Sequence, residues 1–310
     1  MRKRVIVFGE VLWDMLPTGK ELGGAPSNFA YHLGVLGADA TVCTRIGNDP
    51  LGKEIEEAFE AHNLSKKFLQ VDDRFPTGTV QVELDGKGQP TYNIVENVAW
   101  DYIDGTREVL SDVRRADAFY FGSLALRTDK NRETLDAILS VLPTKALRFF
   151  DLNLRAPFYT KRIIRDCLAQ ADVLKLNDEE LTTLARLFID RIPSSIMPGD
   201  NIIQEKDRTA TGETELLPSA MNWLEILMNM YHLDHVVLTC GSRGSFIFDS
   251  QGHRSYCEAK EVEIVSTVGA GDAFTAVCAL GMMDHRPLDE TNRKASEYAA
   301  KVCTFAGAMC

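Results

Sequence analysis

Short apolar runs alternate with longer amphipathic segments along most of the chain. The apolar runs have the length of buried strands, and the segments between them place apolar residues at helical spacing. Strands are expected at 4–9, 40–46, 118–121, 147–150, 173–176 and 235–239, and helices at 24–36, 51–62, 132–142, 162–171 and 222–231. Strands that alternate with helices form βαβ units, so the pattern predicts an α/β fold with a mostly parallel central sheet flanked by helices on both faces.

One stretch, 77–95, breaks this rhythm because polar and apolar residues alternate on either side of a glycine-rich turn. Alternation with a period of two is typical of half-buried strands, so the stretch predicts an antiparallel hairpin. In an otherwise parallel chain this hairpin is expected outside the main sheet, as a small lid. The polar segment 193–218 is expected to be a long surface connection.

Length and composition limit the class of protein. The 310 residues fit one α/β domain that spans 1–310. Apolar residues make up 45% and charged residues 25%, which excludes a disordered or fibrous chain. The 34 Lys and Arg against 45 Asp and Glu give a net charge of −11. An acidic surface repels phosphate backbones and anionic lipid, so we expect neither nucleic acid nor membrane as a main partner.

Cysteine usage points to a reducing compartment. The seven cysteines are odd in number and include no C-x-x-C pair, which favours reduced thiols over disulfides or metal ligands. The basic start at 1–4 is followed by an apolar run too short for a signal peptide, and no window reaches the length of a bilayer span. The sequence therefore predicts a cytoplasmic protein.

The strongest chemical signal is the segment 266–276, STVGAGDAFTA. Gly269, Ala270 and Gly271 leave backbone N–H groups uncovered just before a helix, whose N-terminus carries partial positive charge. Such an anion hole can stabilise a transferring phosphoryl group. Asp272, in the same turn, could accept the proton of an attacking hydroxyl. By spacing alone, Asp272 could equally cap a helix of small residues.

Two polar residues near the N-terminus are candidates for binding a polyol. Asp14 comes soon after the first strand, and Asn28 lies at the glycine-rich start of the next helix. Ligands of open α/β sheets lie outside the carboxyl ends of the strands, where these side chains could bond to vicinal hydroxyls. The alternatives are a turn carboxylate and a helix-start amide.

Two further motifs follow later strands. Asn177 and Glu180 share a face at a helix start, where their oxygens suit either a hydrated Mg²⁺ or a capping box. Thr239, Gly241 and Gly244 follow the strand at 235–239 and suit either a nucleotide turn or an ordinary tight turn.

Two other glycine motifs are look-alikes. The segment 47–53 fits G-x-x-x-x-G-K, but Glu54 stands where a P-loop needs Ser or Thr. Phe274 stands where the dinucleotide fingerprint would place its third glycine. The sequence thus favours neither a P-loop enzyme nor a nicotinamide-dependent oxidoreductase.

Taken in order, these motifs resemble the ribokinase-like (PfkB) carbohydrate kinases, and most closely the fructokinase-like members. The first family signature is similar to 23–52 and the second to 267–274, with 175–180 resembling the N-x-x-E element between them. The resemblance covers nearly the whole chain, from 5 to 307. Fructokinase-like members are also similar at 9–14, 121–125 and 151–155.

The resemblance implies a ribokinase-like fold and a kinase that uses ATP and Mg²⁺ to phosphorylate a primary sugar hydroxyl, with fructose as the first expectation. Asp272 would be the base, beside the anion hole of Gly269, Ala270 and Gly271. The implied binding residues are Asp14, Gly24 and Asn28 for the sugar, Asn177 and Glu180 for the Mg²⁺–phosphate environment, and Thr239, Gly241 and Gly244 for the nucleotide.

The resemblance also implies a lid, formed by about 12–23 and 75–100, that closes over the sugar and whose edges could pair in a homodimer. Ser266 stands where many members have an Asp associated with a monovalent cation, so the resemblance does not extend to a potassium requirement. The acceptor alternatives are 2-keto-3-deoxygluconate, ribose and a nucleoside. A degenerate kinase that senses sugar or nucleotide without turnover is the alternative from another class.

Overall fold

The computed structural model describes residues 2–16, 19–84, 90–188, 202–205 and 214–310. The strands in these ranges are β1 (Arg4–Phe8), β2 (Leu12–Leu16), β3 (Gly19–Gly23), β4 (Asp39–Gly47), β5 (Leu69–Asp72), β6 (Gly78–Leu84), β7 (Pro90–Ile94), β8 (Ala118–Gly122), β9 (Leu147–Asp151), β10 (Val173–Asn177), β11 (Ile203–Glu205), β12 (Thr214–Leu216), β13 (His235–Thr239), β14 (Ser245–Asp249) and β15 (Arg254–Cys257). The helices are α1 (Ala25–Val35), α2 (Pro50–Ala61), α3 (Arg107–Val113), α4 (Asp129–Val141), α5 (Lys161–Leu168), α6 (Asp178–Leu187), α7 (Pro218–Tyr231), α8 (Ala270–Met283) and α9 (Leu288–Val302).

Within the described ranges, nine strands form the central sheet, in the order β15-β14-β13-β10-β9-β8-β1-β4-β5. The strands from β13 to β5 run parallel, and β14 and β15 add an antiparallel edge. The predicted mostly parallel sheet is therefore confirmed. Its inner strands are buried on both faces, which is why they appear in the sequence as continuous apolar runs.

Two apolar layers cover the sheet, because successive side chains of each strand point to opposite faces. In β8, Phe119 and Phe121 join the layer that contains α3 to α7, whereas Ala118 and Tyr120 join the layer that contains α1, α2, α8 and α9. Trp223 of α7 is fully buried in the first layer.

The strand order reverses between β1 and β8. From β1 the chain builds outward through β4 and β5, then crosses to the other side of β1 and continues through β8, β9 and β10. In open α/β sheets, ligands bind outside the carboxyl ends of the strands at such a reversal. A functional site is therefore expected beyond the ends of β1 and β8.

A second sheet stands apart, with the order β3-β2-β6-β7. The predicted hairpin is present as β6 and β7, although residues 85–89 between them lie outside the described residues. The sheet is larger than the predicted hairpin because β2 runs parallel to β6 and pairs antiparallel with β3. Asp14 therefore lies inside β2 of this sheet, and the expectation that it stands at the end of the first main strand is corrected. The ranges 12–23 and 75–100 contain these four strands.

Part of the segment 193–218 is not at the surface. Residues 193–201 and 206–213 lie outside the described residues, but β11 and β12 pair antiparallel. Ile202, just before β11, and Leu216, the last residue of β12, are buried in the layer with α7. For these two positions the expectation of a surface connection is wrong, since their side chains belong to the core.

The P-loop look-alike at 47–53 is a joint between the two sheets. Asp49 caps α2 by accepting a hydrogen bond from the Gly52 N–H at 2.8 Å. The same carboxylate accepts from the Thr77 N–H at 2.8 Å and from the Thr77 hydroxyl at 2.7 Å, just before β6. The segment therefore fastens the base of the small sheet to the main domain.

All seven cysteines are free thiols, and four of them are buried. Across the described ranges, no helix combines the length and the apolar character needed to cross a bilayer.

Candidate active site

Asp272 lies in the first turn of α8 and reaches the reversal point of the central sheet. Its Oδ2 accepts a hydrogen bond from Asn28 Nδ2 of α1 at 2.8 Å. Its charge also interacts with Glu10, which follows β1, and with Asp151, which ends β9. The structure thus brings Asp272 and Asn28 together outside the carboxyl ends of the parallel strands.

The carboxyl of Asp272 has a raised pKa of about 7. Burial is the main cause, and the negative charge of Asp151 adds to it. Lys175, Asn28 and Arg155 act in the opposite direction. A carboxylate with a pKa near neutrality is well matched to taking up a proton at physiological pH.

The start of α8 presents backbone donors beside this carboxylate. Gly269, at the N-cap, adopts a left-handed φ of 78°. The Ala270 N–H donates to the Thr267 carbonyl at 3.3 Å. In the described part of the chain, the N–H groups of Gly271 and Asp272 have no acceptor, as expected for a first helical turn. Of the predicted trio, Gly269 and Ala270 therefore shape the turn, and Gly271 offers a free donor.

A buried ion pair lies under this turn. Lys175 of β10 is 8% exposed, and its Nζ is 3.2 Å from Asp151 Oδ1. The Tyr120 hydroxyl of β8 donates to the other oxygen, Asp151 Oδ2, at 2.9 Å. Burial alone would lower the pKa of Lys175, but Asp151 and nearby carboxylates outweigh burial and raise it.

This pair was missed in the sequence, where no role was given to Lys175, Asp151 or Tyr120. A usable signal was present, because a Lys between Leu174 and Leu176 of a buried strand requires a partner.

Glu10 is a second buried carboxyl of the site, and it is only 3% exposed. Burial raises its pKa to about 7, Asp272 and Asp151 also raise it, and Arg155 lowers it. Gly24, which was predicted to bind the sugar, lies where the backbone passes close to Glu10. It has a φ of 106°, and a Cβ on Gly24 would lie 2.6 Å from the Glu10 carbonyl oxygen. Only glycine fits this close approach.

Asp14 faces the same site from the small sheet. It pairs across β2 and β3 with Glu21. Burial raises the pKa of Asp14 to about 6, Glu21 adds to this, and Arg155 opposes it. Arg155 is exposed, follows β9, and acts on Asp14, Glu10 and Asp272. In the sequence, Arg155 stood only within a fructokinase-like motif, and its position over the carboxyl groups was missed.

Asn177 and Glu180 form the capping box that was one of their two predicted arrangements. Asn177 Oδ1 accepts from the Glu180 N–H at 2.8 Å, and Glu180 Oε2 accepts from the Asn177 N–H at 2.8 Å. Glu180 Oε1 accepts from the Leu154 N–H at 2.8 Å. Both carboxylate oxygens therefore hold backbone groups. Among the described residues, no group of three or more His, Cys, Asp or Glu is placed to bind a metal ion, and the Mg²⁺ role of Asn177 and Glu180 stays a prediction.

The turn after β13 contains the three predicted nucleotide residues. Thr239 is the register partner of Asn177 on β10, so both lie at one edge of the sheet. Gly241 has a φ of 58°, with open space where a Cβ would stand, whereas a Cβ on Gly244 would lie 2.2 Å from the Cys257 carbonyl oxygen. Gly241 is thus open to a ligand and Gly244 is packed.

The loop before α8 is exposed, apolar and tied to the C-terminal turn. The N–H groups of Val265 and Ser266 donate to the Cys303 carbonyl at 2.9 and 3.2 Å. The Ser266 hydroxyl accepts from the Val268 N–H at 3.2 Å. The large apolar side chains exposed on this loop and the adjoining turn are Val262, Ile264, Val265, Val268 and Phe305. Sequence reasoning missed this surface because an irregular loop shows no periodicity.

Comparison with known proteins gives a consistent result. The family model of the pfkB family carbohydrate kinases matches residues 6–310. A fructokinase from Klebsiella pneumoniae is 26% identical over 326 residues, covering 100% of this chain and 96% of that protein.

Two solved structures share the fold. The ATP-bound fructokinase of Xylella fastidiosa aligns with a TM-score of 0.77 at 20% identity, covering 100% of this chain and 94% of that one. The fructokinase of Vibrio cholerae O395 with fructose, ADP and calcium aligns with a TM-score of 0.74 at 22% identity, covering 99% and 94%.

Proposed function

The chain belongs to the pfkB family of carbohydrate kinases, and on this premise we propose that it transfers the γ-phosphoryl group of ATP to a primary hydroxyl of a sugar, with fructose as the first candidate. One observation carries the proposal. The Asp272 carboxyl, with a pKa raised to about 7, lies in the same helical turn as two N–H groups that have no acceptor in the described chain. A proton acceptor and an anion hole are the two groups that this transfer requires.

In this proposal Asp272 removes the proton of the sugar hydroxyl. The oxygen then forms a bond to the γ-phosphorus of ATP as the bond to the β-phosphate oxygen breaks, and ADP leaves. The N–H groups of Gly271 and Asp272 stabilise the charge on the transferring group. Asn28 holds the carboxylate in position through its 2.8 Å hydrogen bond.

Asp14, Gly24 and Asn28 bind the sugar in this proposal. The curated fructokinase relatives support fructose as the acceptor, as does the Vibrio structure, which contains fructose. These relatives are only about a quarter identical to this chain. In this proposal, side chains of the small sheet determine which sugar is accepted. Ribose, 2-keto-3-deoxygluconate and a nucleoside are therefore part of the test. The small sheet acts as the lid and closes over the sugar, and its edges pair two copies in a homodimer.

The nucleotide lies between the Thr239–Gly244 turn and the apolar loop before α8. Gly241 allows close approach of a ligand because no atom occupies the space of its Cβ. The exposed side chains of Ile264, Val265 and Phe305 suit the faces of a planar base. Because the oxygens of Glu180 already accept backbone hydrogen bonds, Asn177 and Glu180 would serve Mg²⁺ through its water shell. We further propose that the enzyme works in the cytoplasm.

Asp272→Ala tests the proposal. ADP release is measured with ATP and Mg²⁺ over fructose, ribose, 2-keto-3-deoxygluconate and adenosine. A general base contributes about 10²–10⁴-fold, so turnover of the best acceptor should fall at least 100-fold with ATP binding retained. Asp129→Ala is the matched control, because Asp129 also lies in a first helical turn but is exposed and, among the described residues, pairs with Arg132.

Two results would count against the proposal. Undiminished turnover by Asp272→Ala would remove Asp272 as the base. Sugar binding without any sugar-stimulated ADP release by the wild-type protein would support the sensor instead.

A further inference from the structure

A lysine buried among carboxylates requires an explanation beyond strand packing. Lys175 lies in the middle of β10, and its ammonium contacts Asp151 at 3.2 Å. A Cβ placed on Gly271 would lie 3.6 Å from Lys175 Nζ, and among the described residues outside its own helical turn no other atom would lie within 4 Å. The ammonium is therefore directly beneath the turn that carries the anion hole and Asp272.

Asp151, the partner of Lys175, is itself held in place by neighbouring residues. Asp151 accepts from the Tyr120 hydroxyl at 2.9 Å, and the Tyr120 ring stacks on Phe29 with centroids 4.1 Å apart. Phe29 follows Asn28, which donates to Asp272. The same residues thus connect the underside of the Asp272 turn with the helix that holds the Asp272 carboxylate from above.

The charges around Asp272 do not balance without this lysine. The polar and titratable groups that interact with Asp272 or with its neighbours are Glu10 after β1, Tyr120 of β8, Asp151 of β9, Arg155 in the loop after β9, Lys175 of β10, Glu180 of α6, Asn28 of α1 and Cys278 of α8. Among these, Lys175 is a buried cation, whereas the Arg155 side chain is exposed. Three buried carboxyl groups, Asp151, Glu180 and Asp272, therefore act on the one positive charge of Lys175.

We propose that Lys175, fixed by Asp151, is a positioning residue of the phosphoryl transfer that keeps Asp272 in its proton-accepting form beneath the anion hole. This inference rests on the proposed role of Asp272 as the base. In this proposal Lys175 acts through the Asp272 turn and not by direct contact with the sugar or the phosphoryl group. Without its charge, the negative charge of Asp151 would be opposed only by the Asn28 hydrogen bond and the exposed Arg155 among the groups named above, and the pKa of Asp272 would rise further.

The test is the pH dependence of kcat/KM in three variants. Lys175→Met removes the cation, so the acid limb should move to higher pH by at least one unit, with kcat/KM at pH 7 lowered at least about fivefold and recovered at pH 9. Asp151→Asn removes the carboxylate that opposes Asp272 and retains an acceptor for Tyr120, so its limb should move to lower pH. In the double variant the two opposed charges are both absent, and the limb should return to within half a unit of wild type.

Arg148→Met is the matched control. Arg148 of β9 pairs with Asp172 just before β10, so this ion pair joins the same two strands at their opposite ends. It should leave the limb in place. Each variant is assayed on protein with native near-UV circular dichroism. If Lys175→Met does not fold, Asp151→Asn and the double variant still decide.

The outcomes separate the two proposals. An unchanged limb in both single variants, with Asp272→Ala inactive, overturns the role of Lys175 and leaves the base assignment intact. Equal loss of activity in the single and double variants, without any shift, also overturns it, because a purely structural ion pair would behave in that way. Full activity of Asp272→Ala would remove the base itself.

Discussion

Replacing Gly269 by alanine tests whether the anion hole depends on a backbone conformation that glycine alone adopts easily. Gly269 has a φ of 78° at the N-cap of α8. An alanine Cβ would lie 2.5 Å from Ala308 Cβ and 2.8 Å from Ala308 Cα, so the C-terminal turn would have to move. The substitution therefore has two effects on the loop: it strains the backbone at position 269, and it brings the new methyl group too close to Ala308.

The size of the effect follows from these two terms. A left-handed conformation costs an alanine about 1–2 kcal/mol, and overpacking typically costs about 1–3 kcal/mol. Together Gly269→Ala should lose about 2–5 kcal/mol of stability if the loop keeps its shape, or roughly 4–10 °C in Tm for a chain of this size. If the loop relaxes instead, the N–H groups of the anion hole no longer point at the transferring group. The loss of one such donor typically lowers kcat about 10²–10³-fold, so kcat should fall by a similar factor.

The assay combines thermal unfolding with steady-state kinetics in which ATP and sugar are varied separately. Gly271→Ala is the control for stability, because its Cβ would meet only Lys175 Nζ at an ordinary 3.6 Å, and alanine is favoured in a helix by about 1 kcal/mol. Gly271→Ala should keep or raise the Tm. An unchanged Tm together with an unchanged kcat in Gly269→Ala would refute the reasoning.

Two further predictions concern titration and the joint between the sheets. In the wild-type enzyme, kcat/KM should fall as the pH drops below about 7, because Asp272 accepts a proton only when it is ionised and its pKa is raised to about 7; a pH–rate profile that stays flat down to pH 5 would contradict this. Asp49→Ala should lower the free energy of unfolding by about 2–3 kcal/mol in urea denaturation, because it removes the cap of α2 and both hydrogen bonds from Thr77. Thr160→Ala, which removes a cap only, should cost about 1 kcal/mol, and equal losses in the two variants would show that the tie to Thr77 adds nothing.

Much of the fold could be predicted because buried parallel strands carry a strong signal. A strand such as β8 is apolar throughout and buried on both faces, so its limits were recognised without its neighbours. β3 gave no such signal, since most of its residues are exposed and it is stabilised by pairing with β2. Pairing between distant strands is a tertiary property, which explains why the small sheet was predicted only as a hairpin.

The residues of the site likewise divide into those that the sequence could identify and those that depend on tertiary structure. Asp272 and the glycine turn were recognisable because the turn and the start of α8 are adjacent in the chain. The pair of Asp151 and Lys175 depends on the register of β9 and β10, which spacing does not reveal. For Asn177 and Glu180, the sequence left two arrangements open, and the observed hydrogen bonds match the capping box.

The hydrogen bond between Asn28 and Asp272 joins positions 244 residues apart. Forming such a contact requires closure of a very long loop, which is entropically costly until the sheet between the two positions is in place. The proposed site therefore cannot be assembled by any fragment that lacks either the first or the last part of this sequence. Only fully folded molecules can therefore turn over substrate. The specific activity of a preparation then measures the fraction of its chains that have folded completely.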